Sequence, residues 1–285
     1  MSNFKKTTSS IENVKKYINW CSHKKISEKI FDGMKKENYK EYTFYKYDTK
    51  DENDESVLIY IHGGSFVDKP LNIQVKFAKK VAKKINSSLI IPLYKTIPEG
   101  NAQIFFEEMI QIYNYMLGKY KKVYLMGDSA GGGAVLSLSL LLNDLNIKSP
   151  DSIIMLSTCL DLTLKNKNIV NKKDIVCSEI GNRYCGSLWA DKYDINDYRI
   201  SPINGNFSHL NKVFILCGGN EICQPDCVEA VRKLEKNEVD FEFVQFDNQF
   251  HNFELYPIPE SKLVINEIYN YVVGGIKNDK WNIIC

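Results

Sequence analysis

The sequence contains few arginines and carries little net charge. Its 285 residues include 37 lysines and arginines, yet arginine occurs only at Arg183, Arg199 and Arg232. Arginine is the side chain that most often reads phosphate and guanine through paired hydrogen bonds. The formal net charge is only +2. Both observations argue against nucleic acid as a partner.

Long apolar runs are also absent. The most apolar segment, Ala134 to Leu142, is too short to span a bilayer. The first ten residues contain lysines with no apolar run behind them, which does not resemble a secretory signal. With 44% hydrophobic and 25% charged residues, the composition is typical of a globular protein. We therefore expect a cytoplasmic protein with one large α/β domain or two smaller ones.

The cysteines form no C-x-x-C pair. Eight of them are scattered through the chain, at Cys21, Cys159, Cys177, Cys185, Cys217, Cys223, Cys227 and Cys285. Such spacing does not indicate a zinc site or a disulfide framework. We expect reduced thiols, some of them packed in the core.

The first forty residues are predicted to be helical. Ser9 and Glu12 form a capping-box pattern, and apolar residues then recur at helical spacing as far as Cys21. A second, lysine-rich helix is predicted across Ile26 to Met34. From Tyr42 the pattern alternates as in a strand, and the acidic stretch from Asp48 to Ser56 predicts an exposed hairpin loop.

Beyond this point, apolar strands alternate with helices. Strands are predicted at 57–62, 88–94, 122–127, 152–157, 212–218 and 241–246, the last being the final strand. Pro259 is expected to open a final helix that stops at Gly274 and Gly275. Continuous apolar strands separated by helices predict a parallel sheet covered on both faces. Active sites of such sheets lie at the carboxyl ends of the strands.

One segment interrupts this alternation. Residues from about 163 to 199 are polar and rich in Asn, Lys, Asp and Tyr. We interpret them as an insertion, which would form a lid if it lies at the carboxyl edge of the sheet.

A serine stands where a strand meets an apolar helix. Gly127 to Gly131 reads G-D-S-A-G, the G-x-S-x-G pattern of a nucleophile elbow. The glycines leave room for a strained turn, and the N–H of Ala130 would face a developing oxyanion. Upstream, His62-Gly63-Gly64 follows another strand and is typical of the second half of an oxyanion hole. We expect His62 itself to orient that loop.

A serine nucleophile also needs a base and a carboxylate. Of the four histidines, His251 alone follows the last predicted strand, which suits the chain order Ser, acid, His. Glu221 comes first after the strand that ends at Gly218, where a carboxylate could orient the imidazole. Asp226 is the alternative, although its place after Pro225 favours the first turn of a helix.

With these motifs in this order, the chain resembles the α/β-hydrolase fold and, within it, the hormone-sensitive-lipase-like carboxylesterases. The resemblance covers roughly residues 57–273 and includes YKTIPE from Tyr94, SPI from Ser201 and FHNFELYPIPES from Phe250. The sequence departs from the family at Glu221, where aspartate is usual. The resemblance implies Ser129 as nucleophile, Glu221 as acid and His251 as base.

The resemblance also implies a domain organisation and an oxyanion hole. The fold would be a mostly parallel central sheet with helices on both faces and a helical cap. Residues 1–40 would form N-terminal cap helices, and residues 41–285 the catalytic domain with a cap insertion at about 163–200. The oxyanion donors would be the N–H groups of Gly63, Gly64 and Ala130.

The activity implied is that of a serine carboxylesterase. It would hydrolyse short-chain acyl or acetyl esters through an acyl-enzyme, with no metal or cofactor. Its partner would be a small-molecule ester, and a homodimer is left open. Two alternatives remain: an N-acyl amidase or deacetylase with the same triad, and a catalytically silent homologue that binds a small ligand.

Overall fold

The computed structural model describes residues 4–49, 55–274 and 280–284, and these contain one sheet of nine strands. The strands are β1 (Lys35–Tyr39), β2 (Tyr42–Tyr47), β3 (Ser56–Ile61), β4 (Ser88–Pro92), β5 (Lys122–Asp128), β6 (Ser152–Leu156), β7 (Lys212–Gly218), β8 (Asp240–Phe246) and β9 (Trp281–Ile284). Their order across the sheet is β1-β2-β4-β3-β5-β6-β7-β8-β9. The pairs β1–β2 and β2–β4 are antiparallel, and all other pairs are parallel.

Eight α-helices accompany the strands in the described residues. They are α1 (Phe4–Thr7), α2 (Ile11–Ser22), α3 (Asn72–Lys84), α4 (Ala102–Leu117), α5 (Ala130–Asp144), α6 (Glu179–Ala190), α7 (Gln224–Lys236) and α8 (Pro259–Tyr269). Short 3₁₀ turns occur at Glu28–Phe31, Lys167–Asn171, Pro202–Asn204 and Phe253–Leu255, and a π turn at Asn270–Gly274 follows α8. Within the described part of the chain, no helix is both long and apolar enough to cross a membrane.

Two apolar cores lie on opposite faces of the sheet. Val57, Ile59 and Ile61 of β3 belong to one core, whereas Leu58 and Tyr60 belong to the other. Every residue of β3 is buried, because helices cover both faces. This explains why the central strands are continuously apolar rather than alternating. The mostly parallel sheet with helices on both faces agrees with the prediction.

The structure corrects three predictions about the elements. The lysine-rich helix at Ile26 to Met34 is only a 3₁₀ turn, Glu28–Phe31, and the next residues form β1. The stretch after β2 is not a hairpin loop, because β2 and β3 are separated in the sheet by β4; residues 50–54 of it lie outside the described residues. β8 is not the final strand, since β9 pairs with it. Of the glycines predicted to end the last helix, Gly275 lies outside the described residues.

The N-terminal helices pack against the insertion. Ser178, which caps α6, donates from its Oγ to the carbonyl of Thr8 at 2.8 Å. Trp189 of α6 is buried and stacks on Phe66 with ring centroids 4.1 Å apart. Because Phe66 follows β3 directly after the His-Gly-Gly turn, α6 lies over the carboxyl end of that strand.

Candidate active site

Ser129 occupies the turn between β5 and α5. Its backbone angles are φ 54° and ψ −123°, a strained conformation for a residue with a side chain. The flanking glycines are required by close packing. A Cβ on Gly131 would lie 2.1 Å from the carbonyl oxygen of Ile61, and a Cβ on Gly127 would lie 2.4 Å from the carbonyl oxygen of Gly131. The G-x-S-x-G pattern is thus explained by sterics at this turn.

Ser129, His251 and Glu221 form a continuous hydrogen-bonded chain. Nε2 of His251 lies 2.9 Å from Oγ of Ser129, and Nδ1 lies 2.9 Å from Oε2 of Glu221. With a proton on Nδ1, the imidazole donates to Glu221 and accepts from the serine hydroxyl. All three side chains are buried. The structure therefore brings together the three residues expected from the sequence. Along the chain, Ser129 lies 92 positions before Glu221, and Glu221 lies 30 positions before His251.

The Glu221 carboxylate is fixed from two sides. Its Oε1 accepts from Oγ of Ser157 at 2.7 Å and from the N–H of Gly218. Asp226, the alternative acid, lies in the first turn of α7 and accepts from Asn166 at 2.8 Å. Of these two carboxylates, Glu221 is the one hydrogen-bonded to His251.

The environment of His251 favours its protonated form. Burial lowers the pKa of His251, but contacts with Cys177 and Glu221 outweigh burial and hold the pKa well above its usual range. A further carboxyl group, Glu254, is fully buried nearby, and neither of its oxygens has a hydrogen-bond partner among the described residues. Burial, together with the charge of Glu221, raises the pKa of Glu254 to about 8. The sequence analysis identified neither Cys177 nor Glu254.

Asp128 organises the loops around the serine. Its Oδ1 accepts from the hydroxyl of Tyr60 at 2.5 Å and from the N–H of Gly63 at 2.9 Å. Its Oδ2 accepts from Gln74 at 2.9 Å and from Asn252 at 3.0 Å. One buried carboxylate therefore ties the loop after β3 to the histidine loop.

The bond from Gly63 to Asp128 changes the expected oxyanion hole. Because the N–H of Gly63 is already donated to Asp128, it does not point at an oxyanion. Within the described residues, the N–H groups of Gly64, Ser65 and Ala130 donate no hydrogen bond. Gly64 and Ser65 line the cavity beside Ser129. Sequence reasoning did not identify the N–H of Ser65, one position beyond the glycine pair, as a group beside Ser129.

His62 supports this loop, as expected. Its Nδ1 lies 2.9 Å from the carbonyl of Gly63, and its ring stacks on Tyr94 with centroids 4.5 Å apart. Tyr94 in turn donates to the carbonyl of His62 at 2.7 Å. Burial lowers the pKa of His62 to about 4, so the ring is neutral near pH 7. Among the described residues, no hydrogen bond joins the His62 side chain to Ser129.

One cavity is lined by Ser129, and a smaller one is lined by the next residue, Ala130. The larger has a volume of about 460 Å³ and is lined by Ser129, His251 and Cys177, together with Tyr17, Trp20 and Lys24 of the N-terminal segment. The smaller has a volume of about 10 Å³ and is lined by Ser65, Phe66, Ala130, Cys159, Leu162, Asn182, Cys185 and Gly186. A space of about 10 Å³ holds roughly one water molecule or a methyl group. The two cavities meet at Ser65.

Two groups of side chains could offer ligands to a metal ion. Asp174, Cys177 and His251 place donor atoms within 4.8 Å of one another, and so do Glu221, Cys223 and His251. Both groups share His251, whose two nitrogens already contact Ser129 and Glu221. A metal in either place would therefore compete with the Ser–His–Glu chain.

Known proteins share this fold at low sequence identity. Residues 58–255 match a family model described as the alpha/beta hydrolase fold. An Acinetobacter venetianus protein named as an esterase is 26% identical over 226 residues, covering 76% of this chain and 75% of that protein. A crystal structure from Staphylococcus aureus superimposes with a TM-score of 0.88 at 24% identity, covering 96% of both chains. An esterase from the bacterial hormone-sensitive lipase family superimposes with a TM-score of 0.80 at 19% identity, covering 95% of this chain and 92% of that one.

The family match spans well over half of the chain. The chain therefore belongs to the α/β-hydrolase fold family. The predicted fold class is confirmed, and so is the assignment of the protein to the carboxylic ester hydrolases.

Proposed function

We propose that the protein is a serine carboxylesterase whose nucleophile is Ser129. The observation that carries this proposal is the chain of two 2.9 Å contacts linking Ser129, His251 and Glu221. His251 takes the hydroxyl proton as Oγ attacks the ester carbonyl, and Glu221 stabilises the resulting imidazolium. The alcohol leaves with that proton. Water, deprotonated by His251, then hydrolyses the acyl-enzyme.

The oxyanion is held by backbone N–H groups in this proposal. Gly64, Ser65 and Ala130 replace the set expected from the sequence, because the Gly63 N–H is bonded to Asp128. Fixed donors of this kind stabilise the charge that develops in the transition state, and each can contribute about 10²–10³ in rate. Asp128 and His62 act as positioning residues, since they hold the loop that carries these donors.

We propose that the substrates are esters with a short acyl chain, because the space next to Ala130 is small. The smaller cavity has a volume of only about 10 Å³, and its wall is tightly packed. A Cβ on Gly186 would lie 2.9 Å from Cβ of Leu162. We assign the acyl group to this cavity and the alcohol group to the cavity of about 460 Å³. The methyl group of an acetyl ester fits such a space, whereas a decanoyl chain requires side chains to move.

The segments outside the sheet form a cap in this proposal. The cap consists of α1, α2 and the insertion at about 163–200 that contains α6. Tyr17, Trp20 and Lys24 line the larger cavity, and the bond from Ser178 to Thr8 joins the two segments. Residues 35–39 belong to the sheet as β1, so we place the end of the N-terminal cap segment before Lys35 rather than at residue 40.

Hydrolysis of p-nitrophenyl esters from acetate to decanoate tests the proposal. We expect the highest kcat/KM with acetate or butyrate, and loss of turnover by about 10³-fold or more in Ser129→Ala. Ser208→Ala, which changes an exposed serine, is the matched control. A fluorophosphonate should label Ser129 in the wild-type protein and in Ser208→Ala.

The same experiment separates the alternatives. If the corresponding p-nitroanilide is cleaved faster than the ester, the protein is an N-acyl amidase or deacetylase. If neither is cleaved and Ser129 is not labelled, the protein is a catalytically silent binding homologue and the proposal is refuted.

A further inference from the structure

Three thiols gather beside the proposed base. Sγ of Cys223 lies 3.0 Å from Sγ of Cys159. Interactions with Cys223 and with His251 both lower the pKa of the Cys177 thiol. The donor atoms of Cys223 and His251 lie within 4.8 Å of each other, as do those of Cys177 and His251. The proposed esterase mechanism uses none of these thiols.

Only one of the three thiols borders the larger cavity. Cys177 lines it together with Ser129 and His251, whereas Cys159 and Cys223 do not. Cys223 is 1% exposed and begins α7 as its cap residue. A small reagent that enters the larger cavity therefore reaches Cys177 before Cys159 and Cys223.

The surroundings of Cys177 favour its thiolate. Interaction with Cys223, which has the largest effect, and interaction with His251 together outweigh burial and lower the pKa of Cys177 to about 7. Burial instead raises the pKa of Cys21 and of Cys185 to about 12. Since the thiolate is the nucleophilic form, Cys177 is chemically distinct from these other buried cysteines.

We propose that Cys177 is an oxidation site for small hydroperoxides and that Cys223 is its resolving thiol. The Cys177 thiolate attacks one peroxide oxygen, the O–O bond breaks, and the second oxygen leaves as hydroxide or alkoxide. The sulfur is now a sulfenic acid, oxidised by two electrons. The Cys223 thiol then attacks this sulfur, an S–S bond forms, and the S–O bond breaks with release of water.

The disulfide is expected to switch off the active site. Bonded sulfurs lie much closer than hydrogen-bonded ones, so closure draws Cys223 towards Cys177. Glu221 is two residues before Cys223, so its carboxylate is pulled from His251. His251 also loses its interaction with the Cys177 thiol. Both changes disturb the base on which ester hydrolysis depends.

The experiment treats the full-length protein with hydrogen peroxide and follows two readouts. Peptide mass spectrometry should find a disulfide between Cys177 and Cys223. Esterase activity should fall in parallel and return with dithiothreitol. The activity readout rests on the proposed function, but the mass readout does not, so failure of one is distinguishable from failure of the other.

Variants locate the reactive sulfur. Cys177→Ser should slow inactivation by about tenfold or more, relative to its own starting rate. Cys223→Ser should leave a sulfenic acid on Cys177 that dimedone traps. Cys21→Ser is the matched control, since Cys21 is equally buried and has a raised pKa; it should oxidise like the wild type.

Two results would overturn the proposal. One is unchanged inactivation in both Cys177→Ser and Cys177→Ala, with circular dichroism showing that each is folded. The other is a dimedone adduct on a cysteine other than Cys177.

Discussion

At the scale of single residues, the proposed acid of the triad is distinguished by what surrounds it. Glu221 is buried and accepts from Ser157 and Gly218 while facing His251. Asp226 is also largely buried, yet it contacts Asn166, and burial raises its pKa to about 6. Both carboxylates follow β7 within a few positions, so sequence spacing alone could not separate them. Their hydrogen bonds do separate them, because Glu221 contacts His251 and Asp226 contacts Asn166.

Glu221→Gln should lower kcat by about 10²–10⁴-fold with little change in KM. A neutral amide cannot stabilise the imidazolium that forms during attack. Steady-state kinetics on p-nitrophenyl acetate measure the effect. Asp226→Asn is the matched control and should stay within about threefold of the wild type. If Asp226→Asn lowered kcat more than Glu221→Gln does, the acid role would belong to Asp226.

Cys177→Ala should move the acidic limb of the kcat/KM profile to lower pH. His251 must be neutral to accept the serine proton, and contact with Cys177 is one of the causes that hold its pKa above the usual range. Removing that contact therefore lets the neutral form persist at lower pH. The other acidic groups near His251, namely Glu221, Glu254 and Asp174, are the same in both proteins. Cys21→Ala is the control, and an unmoved limb in Cys177→Ala would contradict the prediction.

At the scale of elements, the turn from β5 into α5 shows how packing overrides local preference. Alanine is a better helix former than glycine, yet the first residue of α5, Ala130, is followed by three consecutive glycines, Gly131 to Gly133. A Cβ on Gly133 would lie 2.1 Å from the carbonyl oxygen of Cys159. The helix approaches the neighbouring backbone too closely for any side chain at these positions. The glycines are therefore fixed by the fold rather than by helix propensity.

Gly131→Ala should destabilise the protein by about 1–3 kcal/mol, because the new methyl group meets the backbone of Ile61 and His62. The urea unfolding midpoint measures this change. Gly118→Ala is the matched control: Gly118 caps α4 at φ −73°, and the nearest atom to its added Cβ is 3.6 Å away. That variant should be unchanged or slightly more stable. Equal midpoints for the two variants would show that the turn can relax.

The sequence predicts those elements whose apolar pattern decides them. The strands β2 to β8 carry alternating or continuous apolar patterns, and their predicted positions agree with the structure. β1 reads Lys-Lys-Glu-Asn-Tyr and has no such pattern; it is a strand because it pairs with β2 in register from Lys35 to Tyr39. β9 is a four-residue strand that depends in the same way on β8. Edge strands of this kind are defined by a neighbour, which composition does not reveal.

The same distinction applies to the candidate site, where a local motif predicts some residues and tertiary structure places the others. Ser129 and the glycines around it are fixed by local sterics, so a short motif identifies them. The Ser65 N–H depends on where one loop turns, and the place of Cys177 depends on how the insertion folds back over the sheet. Neither is encoded by spacing within a motif. Tertiary structure was required to bring Cys177 to His251.

At the scale of the whole molecule, the N-terminal helices shape access to the serine. α2 presents Tyr17 and Trp20 to the larger cavity. Tyr17 is buried and donates to Asp68 at 2.6 Å, whereas the Trp20 side chain is 55% exposed and lies under the ammonium of Lys24 at 4.8 Å. Tyr17 therefore anchors the helix. Trp20 is free to contact whatever occupies the cavity.

Trp20→Ala should raise KM for aryl esters by about three- to tenfold and change kcat little. An aromatic leaving group in the larger cavity loses a stacking partner whose contribution is about 0.5–1.5 kcal/mol. Ethyl and phenyl acetate, compared in the wild type and the variant, measure this loss, and the effect should be confined to the phenyl ester. Ile11→Ala is the matched control, because Ile11 lies on the same helix, is 52% exposed and does not line the cavity. An equal rise in KM for both esters, or in both variants, would mean that α2 acts by holding the cap in place rather than by contacting the alcohol group.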